Sequence, residues 1–163
     1  MSRELQQIFY FLLQAPPNAY ANIYGSASYP RVRGDVYFYS MLEGTLIFAD
    51  ISGLPFDIGV CNSRFFGFHI HEGSQCKGTE IDPFSFTGGH LNPNNCNHPQ
   101  HMGDLPPLLG NNGYALTTFY SNQFTPANII GHTIIIHDMP DDFKTQPSGN
   151  SGVKIACGEI RPF

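Results

Sequence analysis

The run Asp35-Val36-Tyr37-Phe38-Tyr39-Ser40-Met41 passes through Leu42-Glu43-Gly44 into Thr45-Leu46-Ile47-Phe48-Ala49-Asp50. Both arms are rich in β-branched and aromatic residues, and a tight turn between two such arms reads as an antiparallel hairpin. Outward from it the same texture recurs. Ala21–Gly25 precedes it, and Phe65–His71, Tyr114–Tyr120, Thr133–His137 and Lys154–Ile160 follow. Helix signals are sparse after residue 17, so the chain reads as an all-β sandwich or barrel. The exception is the start, where Leu5, Ile8, Phe9, Leu12 and Leu13 follow helical spacing and Pro16-Pro17 would stop the helix. Residues 1–17 are therefore expected to form a short N-terminal extension, helical in part and packed on the body, with 18–163 as one domain.

Composition narrows the function. Charged residues make up 13% of the 163 residues, about half the usual share. Seventeen glycines and thirteen prolines argue against a coiled coil or long bundle. A net charge of −5 with only eight Lys and Arg argues against a nucleic-acid partner. No run is long and apolar enough for a membrane helix, and Ile8–Leu13 is short for a signal-peptide core, so a cytoplasmic protein without a membrane partner is expected. Residues 72–113 and 138–152 are dense in Gly, Pro, Asn and Asp and read as long loops. Loops of that length in a compact domain are usually functional.

All seven histidines fall between residues 69 and 137. On a strand, His69 and His71 share one face while Ile70 enters the core. Two imidazoles so placed can converge on one metal. His90, His98, His101 and Asp104 follow at spacings of 8, 3 and 3, and three imidazoles with one carboxylate suit tetrahedral zinc. His137 ends a strand, whereas His132 sits in a turn and reads as a plain surface residue. Six histidines and an aspartate are too many for one four-coordinate ion; two ions sharing one ligand close the count. The four cysteines (61, 76, 96 and 157) form no Cys-x-x-Cys pair, and spacing leaves three pairings open. Cys96, two residues before His98, could rival the histidines for zinc, but a structural cysteine is preferred.

Gly67-Phe68-His69-Ile70-His71-Glu72-Gly73, Gly89–Pro93, His101-Met102-Gly103-Asp104-Leu105-Pro106, Gly131–Asp138 and Gly149–Gly158 resemble, in order, the blocks of copper/zinc superoxide dismutases. The resemblance spans about residues 19–161 and implies an eight-stranded Greek-key β-barrel with long metal-binding and electrostatic loops. It also implies dismutation of superoxide to oxygen and hydrogen peroxide, with one copper and one zinc per chain. His69, His71, His90 and His137 fall on the family's copper ligands. His90, His98, His101 and Asp104 fall on its zinc ligands, with His90 as the bridging imidazolate that supplies a proton. Asp141 matches a carboxylate that hydrogen-bonds histidines of both sites, and Cys76 and Cys157 match the family's disulfide. Lys154 stands where the family usually has an active-site arginine. It keeps the charge but loses the two-pronged donor, which implies retained steering with looser anion docking. The Cys76–His90 gap is longer, and the His98–His101 gap shorter, than in familiar animal members. Superoxide is the implied substrate and a homodimer is possible.

Two other readings are weaker. A superoxide-dismutase-like metal-binding module without turnover would be expected to lack a copper ligand. A cupin would want a glutamate a few residues after His71 and gives no role to His98, His101 or Asp104.

Overall fold

The computed structural model describes residues 14–41, 43–60 and 62–163. The helical spacing expected at the N-terminus falls mainly on residues 1–13, and these, like Cys61, lie outside the described residues. The strands are β1 (Ala19–Gly25), β2 (Arg33–Met41), β3 (Gly44–Ser52), β4 (Ser63–Phe66) and β5 (Phe68–His71). Then come β6 (Leu108–Asn111), β7 (Tyr114–Ser121), β8 (Thr133–His137), β9 (Lys154–Glu159) and β10 (Arg161–Pro162). A 3-10 turn (Ser85–Thr87) and one short helix, α1 (Pro126–Ile129), complete the described elements.

The hairpin expected from residues 35–50 is β2–β3, in register from Met41↔Gly44 to Arg33↔Ser52. Its alternation separates two faces: Val36, Phe38, Ile47, Ala49 and Ile51 are buried, while Tyr37, Tyr39, Leu46 and Phe48 stay half-buried on the outside. The strands run in the order β4-β6-β7-β3-β2-β1-β9-β8-β5. The two ends of that path, β4 and β5, are consecutive in the chain and separated only by Gly67, so the sheet curls into a nearly closed barrel. Counting β4–β5 as one interrupted strand and setting the two-residue β10 aside recovers the eight strands expected.

Phe65–His71 is thus not one continuous strand. Gly67 N–H donates to Met139 O and Gly67 O accepts from His137 N, both at 2.8 Å, so at this residue the pairing switches to the second long loop. The 72–113 stretch is also shorter as a loop than expected, because Leu108–Asn111 is a strand paired with β4.

Phe68 and Ile70 of β5 and Ile134 and Ile136 of β8 enter the main core. Ile135 faces the other way and packs with Phe84 and Cys157, with Cys76 against them. There the first long loop is pinned by the Cys76–Cys157 disulfide, Cα–Cα 5.6 Å across a sequence separation of 81. Closing a loop of that length is worth about 4 kcal/mol in the chain-entropy picture.

Candidate metal centre

β5 offers both its edges. One pairs with β8. The other receives the first long loop, with Leu91 N donating to Ile70 O at 2.8 Å, Ile70 N to Gly103 O at 2.9 Å and Glu72 N to Gly89 O at 3.0 Å. Gly103 permits this approach, since a Cβ there would run into the Ile70 carbonyl oxygen. The result is two bridges outside the named strands, His71↔His90 and His69↔Asp104, which carry the loop histidines to the strand histidines. Between β8 and β9 a register shift at Ile136 and His137 sets Lys154 opposite His137. Bulges of this kind re-aim side chains beside sites.

Two groups of ligand-type side chains result. In each, one donor atom per residue lies within 4.8 Å of the others: His69, His71, His90 and His137 in the first, and His90, His98, His101 and Asp104 in the second. His90 belongs to both. Every histidine of the two groups is buried. Cys96 belongs to neither. It sits in a turn where its N–H donates to Asn92 Oδ1 and its oxygen accepts from Asn92 Nδ2, both at 2.9 Å.

The hydrogen bonds decide which ring nitrogen faces inward. His69 Nε2 donates to Asp141 Oδ2 at 2.8 Å, and His98 Nε2 to Asp141 Oδ1 at 2.9 Å. His71 Nδ1 donates to Gly88 O at 2.9 Å and His137 Nδ1 to Gly152 O at 3.3 Å. Carbonyl and carboxylate oxygens only accept, so these nitrogens carry the protons and the opposite nitrogens are bare. His71 Nε2 and His137 Nε2 face each other at 3.3 Å. His69 Nδ1, His90 Nε2, His98 Nδ1 and His101 Nδ1 are buried without a hydrogen-bond partner. Asp104 completes the second group: Oδ1 lies 2.7 Å from His90 Nδ1, and Oδ2 lies 3.1 Å from His98 Nδ1 and 3.3 Å from His101 Nδ1.

Orphaned buried nitrogens are costly. Clustered, and in His69 and His98 with the opposite nitrogen fixed by the Asp141 carboxylate, they have the arrangement of metal-ligating histidines. The donor chemistry divides the groups: four imidazoles suit Cu(II), and three imidazoles with a carboxylate suit zinc.

The electrostatics agree with neutral rings. Burial lowers the pKa of His69 and pushes His71 well below the ordinary histidine value. Burial, followed by the neighbouring His69, takes His137 down to about 3. Asp141 goes the other way. Burial would raise it, but hydrogen bonds from His69, the Phe143 N–H and His98 outweigh that and hold it at about 2. The Lys154 ammonium is half-buried, which lowers its pKa against the opposing pull of Asp82. Its Nζ donates to Gly88 O at 3.1 Å and Phe84 O at 3.3 Å.

Some contributors leave no trace in residue type. The Gly88 carbonyl serves both His71 and Lys154. Gly149, at φ +67, lies so close to Asp141 and His98 that a Cβ would invade the carboxylate bridge. Gln146 exchanges two hydrogen bonds with the His98 backbone, at 2.9 and 2.7 Å, tying the two long loops together. His132, read as a plain surface residue, is half-buried, and its Nδ1 donates to Glu72 O at 2.8 Å.

Known proteins resemble this chain in sequence and fold. Residues 32–160 match the family model described as copper/zinc superoxide dismutase. The chain is 33% identical over 147 residues to a Cu-Zn superoxide dismutase of Deinococcus radiodurans, covering 78% of this chain and 76% of that one. Identity to a second relative, Cu-Zn superoxide dismutase 2 of Aquifex aeolicus, is 33% over 134 residues, covering 73% of each. The solved structure of the Cu/Zn superoxide dismutase from Brucella abortus superposes with a TM-score of 0.72 at 26% identity, covering 86% of this chain and 98% of that one. On the family model, the relatives and the fold together, the chain belongs to the copper/zinc superoxide dismutase family.

Proposed function

We propose that this protein dismutes superoxide, with copper held by His69 Nδ1, His71 Nε2, His90 Nε2 and His137 Nε2, and zinc by His90 Nδ1, His98 Nδ1, His101 Nδ1 and Asp104. The observation that carries the assignment is the set of bare ring nitrogens turned inward on His69, His71, His98 and His137, the opposite nitrogen of each being hydrogen-bonded, with His90 Nε2 and His101 Nδ1 buried beside them without a partner. Copper supplies the one-electron couple that the reaction needs, and zinc, which has no redox chemistry, supplies a fixed charge.

The chain's own residues do the rest. His90 is the one side chain with a nitrogen toward each group, so its Nε2 is the atom that takes up and returns a proton beside the incoming anion. His69 and His98 cannot turn, because the Asp141 carboxylate holds both. Lys154 provides positive charge at a protein of net charge −5, where a local field must draw the substrate in. The module without turnover is disfavoured, because all six histidines of the two groups are present. The test is metal analysis with a superoxide-decay assay on reconstituted protein. About one copper and one zinc per chain with fast decay is expected; zinc alone, with no decay after copper loading, would overturn the proposal.

Lys154→Ala is expected to lower the bimolecular rate by about tenfold or more and to flatten its dependence on salt, as loss of a steering charge does. Lys154→Arg is expected to raise the rate above that of the parent, since the planar fork docks an anion better. An unchanged rate and salt dependence in Lys154→Arg would remove Lys154 from the mechanism.

A homodimer is proposed as well. Phe65 and Leu109, paired across β4 and β6, are each 50% exposed, and Leu116 of the neighbouring β7 is 56% exposed. Side chains of this kind on one sheet face suit a second copy. Sedimentation of the parent as a dimer and of Leu109→Lys as a monomer would support this; a monomeric parent would sink it.

A further inference from the structure

Gly88 has φ +66 and ψ −149, a conformation open to glycine and strained for other residues. This turn sets the Gly88–Gly89 peptide between groups of opposite charge. Its oxygen accepts from His71 Nδ1 at 2.9 Å and from Lys154 Nζ at 3.1 Å. Its N–H, on Gly89, donates to Glu72 Oε1 at 3.3 Å. A Cβ on Gly88 would press into the Glu72 side chain, so the bare glycine is what lets the carboxylate lie against the peptide. Glu72 is itself held at both backbone ends. Its N–H donates to Gly89 O at 3.0 Å, and its oxygen accepts from His132 Nδ1 at 2.8 Å.

An amide bonded at both ends is polarised along its length, and a carboxylate on the N–H makes the oxygen a stronger acceptor. Here that oxygen has two clients. One is the proton that fixes the tautomer of His71, leaving Nε2 bare toward His137. The other is the Lys154 ammonium, the charge proposed above to draw the substrate in.

We propose that Glu72 is a positioning residue. Acting through the Gly88–Gly89 peptide, it strengthens the Gly88 oxygen as the shared acceptor for His71 Nδ1–H and the Lys154 ammonium. The inference rests on reading His71 as a copper ligand, so its first test uses the metal-free full chain. Glu72→Gln keeps an oxygen acceptor without the charge; Glu72→Ala removes both. By proton NMR, exchange of the His71 Nδ1 and Gly89 amide protons with water is expected to quicken about threefold in Glu72→Gln and about tenfold in Glu72→Ala. In copper-loaded protein the Cu(II) hyperfine splitting is expected to shift in the same order at unchanged zinc content. Unchanged exchange and splitting in Glu72→Ala would overturn the proposal. Should Glu72→Ala not fold, an unchanged Glu72→Gln would do so. Quickened exchange in the two Glu72 variants, together with a parent protein that takes up no copper, would support the positioning role and overturn the functional reading instead.

Discussion

Asp141→Ala is expected to lower zinc affinity about ten- to a hundredfold, the usual cost of removing the group that orients metal-ligating histidines. The carboxylate spans His69 Nε2 at 2.8 Å and His98 Nε2 at 2.9 Å, so one substitution frees a ring in each of the two groups. Both rings are fully buried. Each N–H that loses its acceptor without access to water costs about 1–3 kcal/mol. The metal-free variant should therefore lose stability as well as affinity, which separates this effect from simple loss of a ligand. Zinc competition titrations, paired with urea unfolding of metal-free parent and variant, measure both. Parental zinc affinity in the variant would show that the bridge positions nothing.

Acid is expected to unfold the metal-free protein from near neutrality downward. His69, His71 and His137 all have folded pKa values below the ordinary 6.5. The unfolded chain therefore binds protons that the folded chain refuses. Stability is full above about pH 6.5 and falls below it, at about 1.4 kcal/mol per pH unit for each histidine in its window. For His137 that window runs down to about 3, so it alone removes roughly 2 kcal/mol by pH 5. Asp141 acts lower. Its folded pKa of about 2 against 3.8 stabilises the fold above about pH 4, and that contribution is lost between about 4 and 2. Unfolding curves of metal-free protein at pH 8, 6.5, 5 and 4 check the prediction. A flat stability from pH 7 to 5 would mean that the histidines are hydrated, not buried neutral. Copper and zinc should shift the acid transition downward, because metal and proton compete for the same nitrogens.

The barrel was legible because β2 and β3 alternate cleanly around a tight turn, and a two-residue period needs no distant partner to be recognised. The histidine pattern was legible for the same reason: His69 and His71 share a face by strand geometry, and the loop ligands lie close in sequence. Leu108–Asn111 carries no strand signal because two adjacent leucines followed by Gly-Asn show no alternation, and its partner β4 is more than forty residues away. The interruption at Gly67 is set by Met139 and His137, residues that touch it only after folding. The cysteine pairing was beyond spacing alone and came from resemblance. The contacts of Glu72 and His132 leave no mark in the sequence, because the groups they bind are backbone atoms, which every residue carries.

The interruption at Gly67 also bears on how the molecule assembles. β4 and β5 are the two borders of the sheet, and β5 carries His69 and His71. Its partner β8 lies some sixty residues further along, which makes this pairing one of high contact order, slow to form because a long loop must close first. The histidines therefore meet their counterparts only when the barrel shuts. A metal bound there acts as a clasp on the seam, and its binding free energy opposes global unfolding instead of merely stiffening a loop.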